Sequence, residues 1–312
     1  MTAQGRGKVL VTPRSVTAGG HPSLDKLRAA GFEVVFPTPG KQPTQADLLR
    51  LLPGCVGYLA GVEPVPAAVL DAAPGLKVIS RNGVGVDNVD LAAARRLGIT
   101  VCKAVGSNSR GVAELAMAHI LSLARWVPFS DRGIKAGGWD RRKGIELIGR
   151  TLGLVGCGNI GKLVARFALG MDMKVRACDV VQDPSFAPPG DFRYAGLDEV
   201  LGGSDIISLH CPALPGGRPL IDAAAIARMK KGVFLVNTAR ADLIDPAALA
   251  DALASGQVAG ASMDVFKAEP PVGDPLAGND RIVATPHIGG FTDESVDRAV
   301  DMAVDNLLAA LK

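Results

Sequence analysis

An arginine, a glutamate and a histidine, each just beyond a short apolar run, are the residues of this sequence best suited to do chemistry. Arg240 follows the run in VFLVNTARADLID, Glu269 sits in SMDVFKAEPP, and His287 sits in IVATPHIGG. A guanidinium holds a carboxylate and an adjacent carbonyl in its planar fork and polarises the C=O. An imidazole exchanges protons near neutral pH. A carboxylate beside it orients the ring and favours its charged form. The set suits proton exchange at a carbonyl next to a carboxylate, the proton step that accompanies a hydride transfer. Taken singly, Arg and Glu at such positions are usually solvated surface residues.

The partner for that chemistry is encoded in TLGLVGCGNIGKLVARFALG, where Gly156, Gly158 and Gly161 stand in GxGxxG spacing. The spacing alone is weak, but here an apolar strand precedes it and an apolar helix follows. A second strand then ends at Asp179, near the ~20-residue spacing of dinucleotide-binding units. Gly156 permits the tight turn, Gly158 lets a pyrophosphate approach the backbone, and Gly161 lets helix and strand pack closely. The helix N-terminus offers free N–H groups and a positive dipole end. Asp179 can accept hydrogen bonds from both hydroxyls of an adenosine ribose and would repel a 2′-phosphate. Val180 and Val181 supply no cation to hold one. NAD is therefore expected over NADP. Of the other histidines, His119 lies on an apolar helix and is expected to be a packed core residue. His21 begins a loop, and His210, in SLHCP, is expected to line the cofactor without doing chemistry.

The elements that must position these groups alternate. Strands are expected at Lys8–Thr12, Glu33–Phe36, Val56–Leu59, Leu76–Ser80 and Ile99–Cys102, with helices at Pro22–Ala30, Thr44–Leu52, Pro66–Ala73 and Leu91–Leu97. A long apolar helix, Gly111–Arg125, follows, then a polar, basic stretch at Asp131–Arg150. A second series has strands at Leu152–Val155, Val175–Cys178, Ile206–Leu209, Val233–Val236, Val258–Ala261 and Ile282–Ala284. Helices at Lys162–Leu169, Asp222–Met229 and Pro246–Ala254 separate some of them, and Glu294–Leu311 closes the chain. Strand–helix alternation implies α/β architecture with doubly wound parallel sheets. Ligands of such sheets bind at the carboxyl ends of the strands, where Arg240, Glu269 and His287 all fall.

The bulk numbers agree with this reading. A chain of 312 residues with 48% hydrophobic content accommodates two cores. A net charge of +3 gives no case for nucleic acid. The five cysteines, Cys55, Cys102, Cys157, Cys178 and Cys211, include no CxxC pair. Neither a disulfide framework nor a metal site is expected, and a reducing compartment fits. With no apolar leader and no run of membrane-spanning length, a cytoplasmic protein without membrane association is expected.

The ordered motifs resemble the D-2-hydroxyacid dehydrogenases, most closely their phosphoglycerate dehydrogenase branch. They are RNGVGVDNVDLAAARRLGI, GVAELAMAHIL, the GxGxxG unit, KKGVFLVNTARADLID, ASMDVFKAEPP and TPHIGG. The resemblance implies a Rossmann NAD-binding domain, residues 104–290, inserted in a flavodoxin-like substrate domain of residues 1–103 plus 291–312. The two crossovers would lie near Val112–Arg125 and the closing helix. It implies Arg240 as the substrate-polarising residue, His287 as proton donor and Glu269 as its partner. It implies cofactor contacts at Gly156, Gly158, Asn159, Ile160, Gly161, Asp179, His210, Cys211, Pro212, Thr238, Ala239, Arg240, Asp264, His287, Gly289 and Gly290, with Asp264 reaching the carboxamide. Substrate contacts would be Arg81, Asn82, Val84, Gly85, Arg240 and His287, the backbone N–H groups of Val84 and Gly85 receiving a carboxylate. A homodimer through the NAD-binding domain is implied, and a small anionic 2-hydroxy or 2-oxo acid as substrate.

Some positions depart from the family pattern. Ala241 stands where glycine is usual after the arginine, Cys211 where threonine is common, and CPALPGGRPLI lacks the usual threonines. The C-terminal regulatory extension of many phosphoglycerate dehydrogenases is not seen before Lys312, so serine feedback through it is not expected. Substrate options are 3-phosphoglycerate, glyoxylate or hydroxypyruvate, and a sugar-derived hydroxy acid. Arg81, Arg141, Arg142 and Lys143 would meet a phosphate if their loops cover the crevice, or else form a solvated basic loop. The alternative class is an NAD-sensing, corepressor-like binding protein with little turnover. Formate dehydrogenase is disfavoured because that branch pairs its histidine with glutamine, and here the position is Glu269.

Overall fold

The computed structural model describes residues 5–312. Its first elements are β1 (Lys8–Val11), α1 (Arg14–Gly19), α2 (Leu24–Ala29), β2 (Glu33–Val35), α3 (Gln45–Leu51), β3 (Cys55–Ala60), α4 (Ala67–Asp71), β4 (Val78–Arg81), α5 (Leu91–Arg96) and β5 (Thr100–Lys103). Then come α6 (Ser109–Arg125), α7 (Val127–Lys135), β6 (Thr151–Val155), α8 (Asn159–Leu169), β7 (Lys174–Cys178), β8 (Phe192–Tyr194), α9 (Leu197–Gly203) and β9 (Ile206–Leu209). The chain finishes with α10 (Ala223–Ala227), β10 (Val233–Asn237), α11 (Pro246–Ser255), β11 (Val258–Met263), β12 (Ile282–Ala284) and α12 (Asp293–Ala310).

These elements form two compact units, one of residues up to 108 together with 290–312, the other of residues 109–289. The first break falls later than residue 103. Ala104 N donates to Gly83 O, and Arg298 Nε donates to Ser107 O, which ties this segment to the first unit.

The first unit is a parallel sheet in the order β2-β1-β3-β4-β5. Leu48, Leu52, Tyr58, Val69 and Ile79 form the core on one face. Val9, Leu27, Leu59, Val300, Val304 and Leu307 form the core on the other. The last three belong to α12, which starts where the Thr292 side chain accepts from Ser295 N and carries Asp293 and Glu294 in its first turn. Gly57 on β3 lets α12 lie close, since a Cβ there would sit 3.1 Å from Leu311.

The second unit is a seven-stranded parallel sheet, β12-β11-β10-β9-β6-β7-β8. The chain runs outward from β6 to β8, then returns to lay β9 on the other side of β6. Strand order thus reverses between β6 and β9, which opens a crevice at their carboxyl ends. The central strands are buried on both faces, as parallel strands covered by helices must be. Leu154, Ile207 and Leu235 are fully buried, and each such side chain contributes about 1.5–3 kcal/mol. The α6 helix packs beside α8 and against β10 and β11.

Four elements were not expected from the sequence: α1, α7, β8 and α9. β8 is a three-residue edge strand with an arginine at its centre, so it forms no apolar run. α7 buries no residue, and α9 ends in two glycines that read as a loop. Among the described residues no single helix is long and apolar enough to cross a membrane.

Candidate active site

In the second unit the glycine-rich turn joins β6 to α8 at the β6/β9 reversal. Gly156 has φ 99°, and a Cβ there would lie 2.5 Å from His210 O. At Gly161 a Cβ would collide with Gly156 O. Gly158 differs: a Cβ there would meet nothing within 4 Å. The backbone is therefore bare at the mouth of α8, whose N-terminus has no side-chain cap. Its first-turn N–H groups, those of Asn159 and Ile160 among them, present an anion site.

Asp179, just past β7, is held against this turn. Its Oδ2 accepts from Cys157 N at 2.6 Å and its Oδ1 from Val181 N at 2.9 Å. Each oxygen keeps a lone pair for a ribose hydroxyl. Val180 and Val181 are exposed beside it.

Across the crevice, His210 follows β9. Its Nε2 lies 2.9 Å from Ser208 Oγ, and its Nδ1 is buried without a partner. Burial pushes its pKa down to about 4, so the ring is neutral near pH 7. Thr238, past β10, likewise has a buried hydroxyl without a partner. Burial raises the Cys211 thiol to about 11 and raises Cys157 and Cys178 in the same sense, so none supplies a thiolate. Pro212 is exposed and Ala239 half-buried. A bare glycine cradle, a capless helix end, a carboxylate at the second strand and two orphaned polar atoms fit a dinucleotide.

Arg240, Glu269 and His287 come from loops after β10, β11 and β12, all at the same edge of the sheet. Asn237, fully buried, accepts from Ala239 N at 3.0 Å and donates to Arg240 O at 2.8 Å, which sets the arginine's backbone. The Arg240 Nη1 donates to Ala239 O at 2.7 Å. His287 Nδ1 lies 2.9 Å from Glu269 Oε2 and 3.1 Å from Oε1. Phe266 N donates to Glu269 Oε1 at 3.2 Å and steadies the carboxylate. His287 adopts φ 53°, a left-handed conformation that costs about 1 kcal/mol or more outside glycine.

Asp264 is 0% exposed and accepts from Thr285 Oγ1 at 2.6 Å, Ile288 N at 2.9 Å and Gly289 N at 2.9 Å. Its carboxylate holds the histidine loop. Gly289 is small because Asp264 and Val112 crowd it. Gly290 lies in the first unit, crowded by Asn108. The Arg142 guanidinium stacks 4.3 Å from the Trp126 ring and 4.2 Å from the Phe129 ring, and its Nη1 is buried without a hydrogen-bond partner. Arg141 and Lys143 are exposed.

In the first unit, the expected substrate residues line one loop after β4. Arg81 Nε donates to Asn88 Oδ1 at 3.3 Å, and Asn82 N donates to Ala60 O at 2.9 Å. Asn82 Oδ1 is buried without a partner, and Val84 and Gly85 are half-buried. No group of His, Cys, Asp and Glu able to hold a metal occurs among the described residues.

Residues 117–289 match the model of the D-isomer specific 2-hydroxyacid dehydrogenase, NAD binding domain. The chain is 39% identical to hydroxypyruvate reductase of Thermotoga maritima, covering 85% of this chain and 88% of that protein. It is 40% identical to D-3-phosphoglycerate dehydrogenase of Mycobacterium tuberculosis over 86% of this chain but 52% of that one, so it spans about half of that relative's length. The TT0316 protein of Thermus thermophilus superposes with a TM-score of 0.86 at 39% identity, covering 97% of this chain and 96% of that one. With its two parallel sheets, its dinucleotide cradle and these relatives, the chain belongs to the D-isomer-specific 2-hydroxyacid dehydrogenases, NAD-linked oxidoreductases of 2-hydroxy acids.

Proposed function

We propose that Arg240, Glu269 and His287 are the catalytic residues, and that the substrate is an unphosphorylated small 2-oxo acid such as hydroxypyruvate or glyoxylate. The Glu269–His287 pair at 2.9 Å, in loops that follow the strands next to the one preceding Arg240, carries this reading. When bound, the nicotinamide donates or accepts the hydride at C2. Arg240 grips the carboxylate and draws electron density from the C2 carbonyl. Glu269 accepts a hydrogen bond from Nδ1–H of His287, and the protonated ring gives its Nε2 proton to the C2 oxygen during reduction. In oxidation, neutral Nε2 takes that proton back. Asp179 binds the adenosine ribose and selects NAD. In the first unit, Arg81, Asn82 and the amides of Val84 and Gly85 are the proposed substrate contacts.

An unphosphorylated substrate is favoured by the match along most of a hydroxypyruvate reductase. NADH oxidation at 340 nm with hydroxypyruvate, glyoxylate and 3-phosphohydroxypyruvate tests it. A clear preference for the phosphorylated acid would overturn this assignment.

We also propose a homodimer through the second unit, a reading supported by its exposed apolar side chains. α7 buries no residue, and Val127, Ile134, Trp139 and Ile148 are 54%, 55%, 81% and 66% exposed. Sedimentation equilibrium of Trp139→Glu against wild type tests it; a wild-type monomer contradicts it. The five free cysteines fit the reducing cytoplasm, which fractionation of expressing cells checks.

A further inference from the structure

Behind the His287 loop runs a chain of hydrogen bonds that the mechanism above does not use. His119, expected to be a packed core residue, is 2% exposed on α6 but is held at both ring nitrogens. Its Nδ1 meets Ser262 Oγ on β11, and its Nε2 lies 3.2 Å from Thr285 Oγ1 just past β12. Thr285 Oγ1 lies 2.6 Å from Asp264 Oδ1, and Asp264 accepts the N–H groups of Ile288 and Gly289.

Hydrogen inventory sets the direction of this chain. A carboxylate only accepts, and a threonine hydroxyl has one hydrogen to give. Thr285 gives it to Asp264, so toward His119 it can only accept. His119 must then carry its hydrogen on Nε2. Its Nδ1 is left with a lone pair, which the Ser262 hydroxyl fills. Burial lowers the His119 pKa, against a smaller opposing effect of Asp264, so the ring stays neutral as this pattern requires. Met263 O also accepts from Thr285 N at 3.0 Å, so the strand next to His119 and the loop are tied twice. His287 is bracketed by Thr285 on one side and the Asp264-bound amides on the other, and it keeps an unfavourable φ of 53°. Such a backbone persists only where its surroundings over-determine it.

We propose that His119 is a positioning residue for His287, acting through Thr285 and Asp264 to hold the imidazole where it meets the substrate oxygen. This rests on the reading of His287 as proton donor. Leucine at 119 would fill similar space with neither hydrogen bond. Glutamine could accept from Ser262 and donate to Thr285.

The test compares His119→Leu, His119→Gln and Thr285→Val with wild type and His287→Ala, using hydroxypyruvate and NADH. His119→Leu is expected to lower kcat about tenfold or more through misplacement of the acid, to displace the pH profile of kcat, and to leave NADH affinity within about threefold. His119→Gln should recover most of the loss and restore the profile. Wild-type kcat and profile in His119→Leu, or a glutamine variant as impaired as the leucine one, would overturn the proposal. If His119→Leu does not fold, Thr285→Val carries the same expectation, and wild-type kcat there overturns it equally. Retained turnover in His287→Ala would sink the proton-donor reading itself. Its loss there, with His119→Leu and Thr285→Val unaltered, would sink the positioning role alone.

Discussion

His287 and Glu269, 18 residues apart on separate loops, meet with Nδ1 2.9 Å from Oε2. The pairing assigns the ring's nitrogens. Nδ1 faces the carboxylate, so Nε2 is the nitrogen left for the substrate in the proposed mechanism. Replacing Glu269 by Gln keeps the shape and removes the charge. kcat for 2-oxo acid reduction should fall by about 10- to 100-fold, a part of the usual acid–base contribution. NADH affinity should stay within about threefold. Steady-state kinetics with a fluorescence titration checks this, and an unaltered kcat contradicts it.

Asp179 accepts two backbone amides and still has lone pairs for a ribose. Asp179→Ala should weaken NADH binding about tenfold, the effect of losing one or two hydrogen bonds to a charged acceptor. It should also narrow the preference over NADPH. Calorimetric titration of both nucleotides measures this. An unchanged NADH/NADPH ratio would show that Asp179 does not read the ribose.

Gly158 and Gly161 should separate binding from folding. A methyl group at 161 collides with Gly156 O, so Gly161→Ala should destabilise by about 1–3 kcal/mol and lower Tm. A methyl group at 158 meets no protein atom, so Gly158→Ala should leave Tm unchanged while weakening NADH. Thermal scans with and without NADH distinguish the two. Equal NADH affinity in wild type and Gly158→Ala would mean the pyrophosphate lies elsewhere.

Acid should destabilise the cofactor-free protein through His210. Its folded pKa, about 4, lies below the ordinary 6.5. Between those values the unfolded chain binds the proton and the folded one does not, so stability falls as pH drops from about 6.5 toward 4. The full effect is about 3 kcal/mol. His119 acts in the same direction. Urea midpoints at pH 7.5 and 5 should differ, and the difference should shrink in His210→Asn. An identical difference in the variant contradicts the assignment.

The tight glycine turn and the meeting of Glu269 with His287 could be read from residue order. The GxGxxG unit and Asp179 stand out because a dinucleotide demands a bare turn and a carboxylate at a set spacing. Arg240, Glu269 and His287 declare themselves because parallel strands bring their carboxyl ends to one edge. The surroundings of Asp264 and Arg142 were less legible. Nothing in the position of an aspartate after a strand announces the three donors that converge on it. Arg142 sits in a basic run, and nothing in its spacing announces the two aromatic rings around it. His119 looked like core because its α6 neighbours are apolar; Ser262 and Thr285, which pair with it, lie far away in sequence. β8 escaped notice because Phe192–Arg193–Tyr194 has a charged residue at its centre and so forms no apolar run, unlike the equally short β12.

The most direct test of the account is NADH oxidation with hydroxypyruvate by wild type and His287→Ala, with NADH binding measured on both. Wild type should turn over, and the variant should lose about 10²- to 10⁴-fold while its NADH affinity stays within a few-fold. Comparable turnover by the two proteins would contradict it.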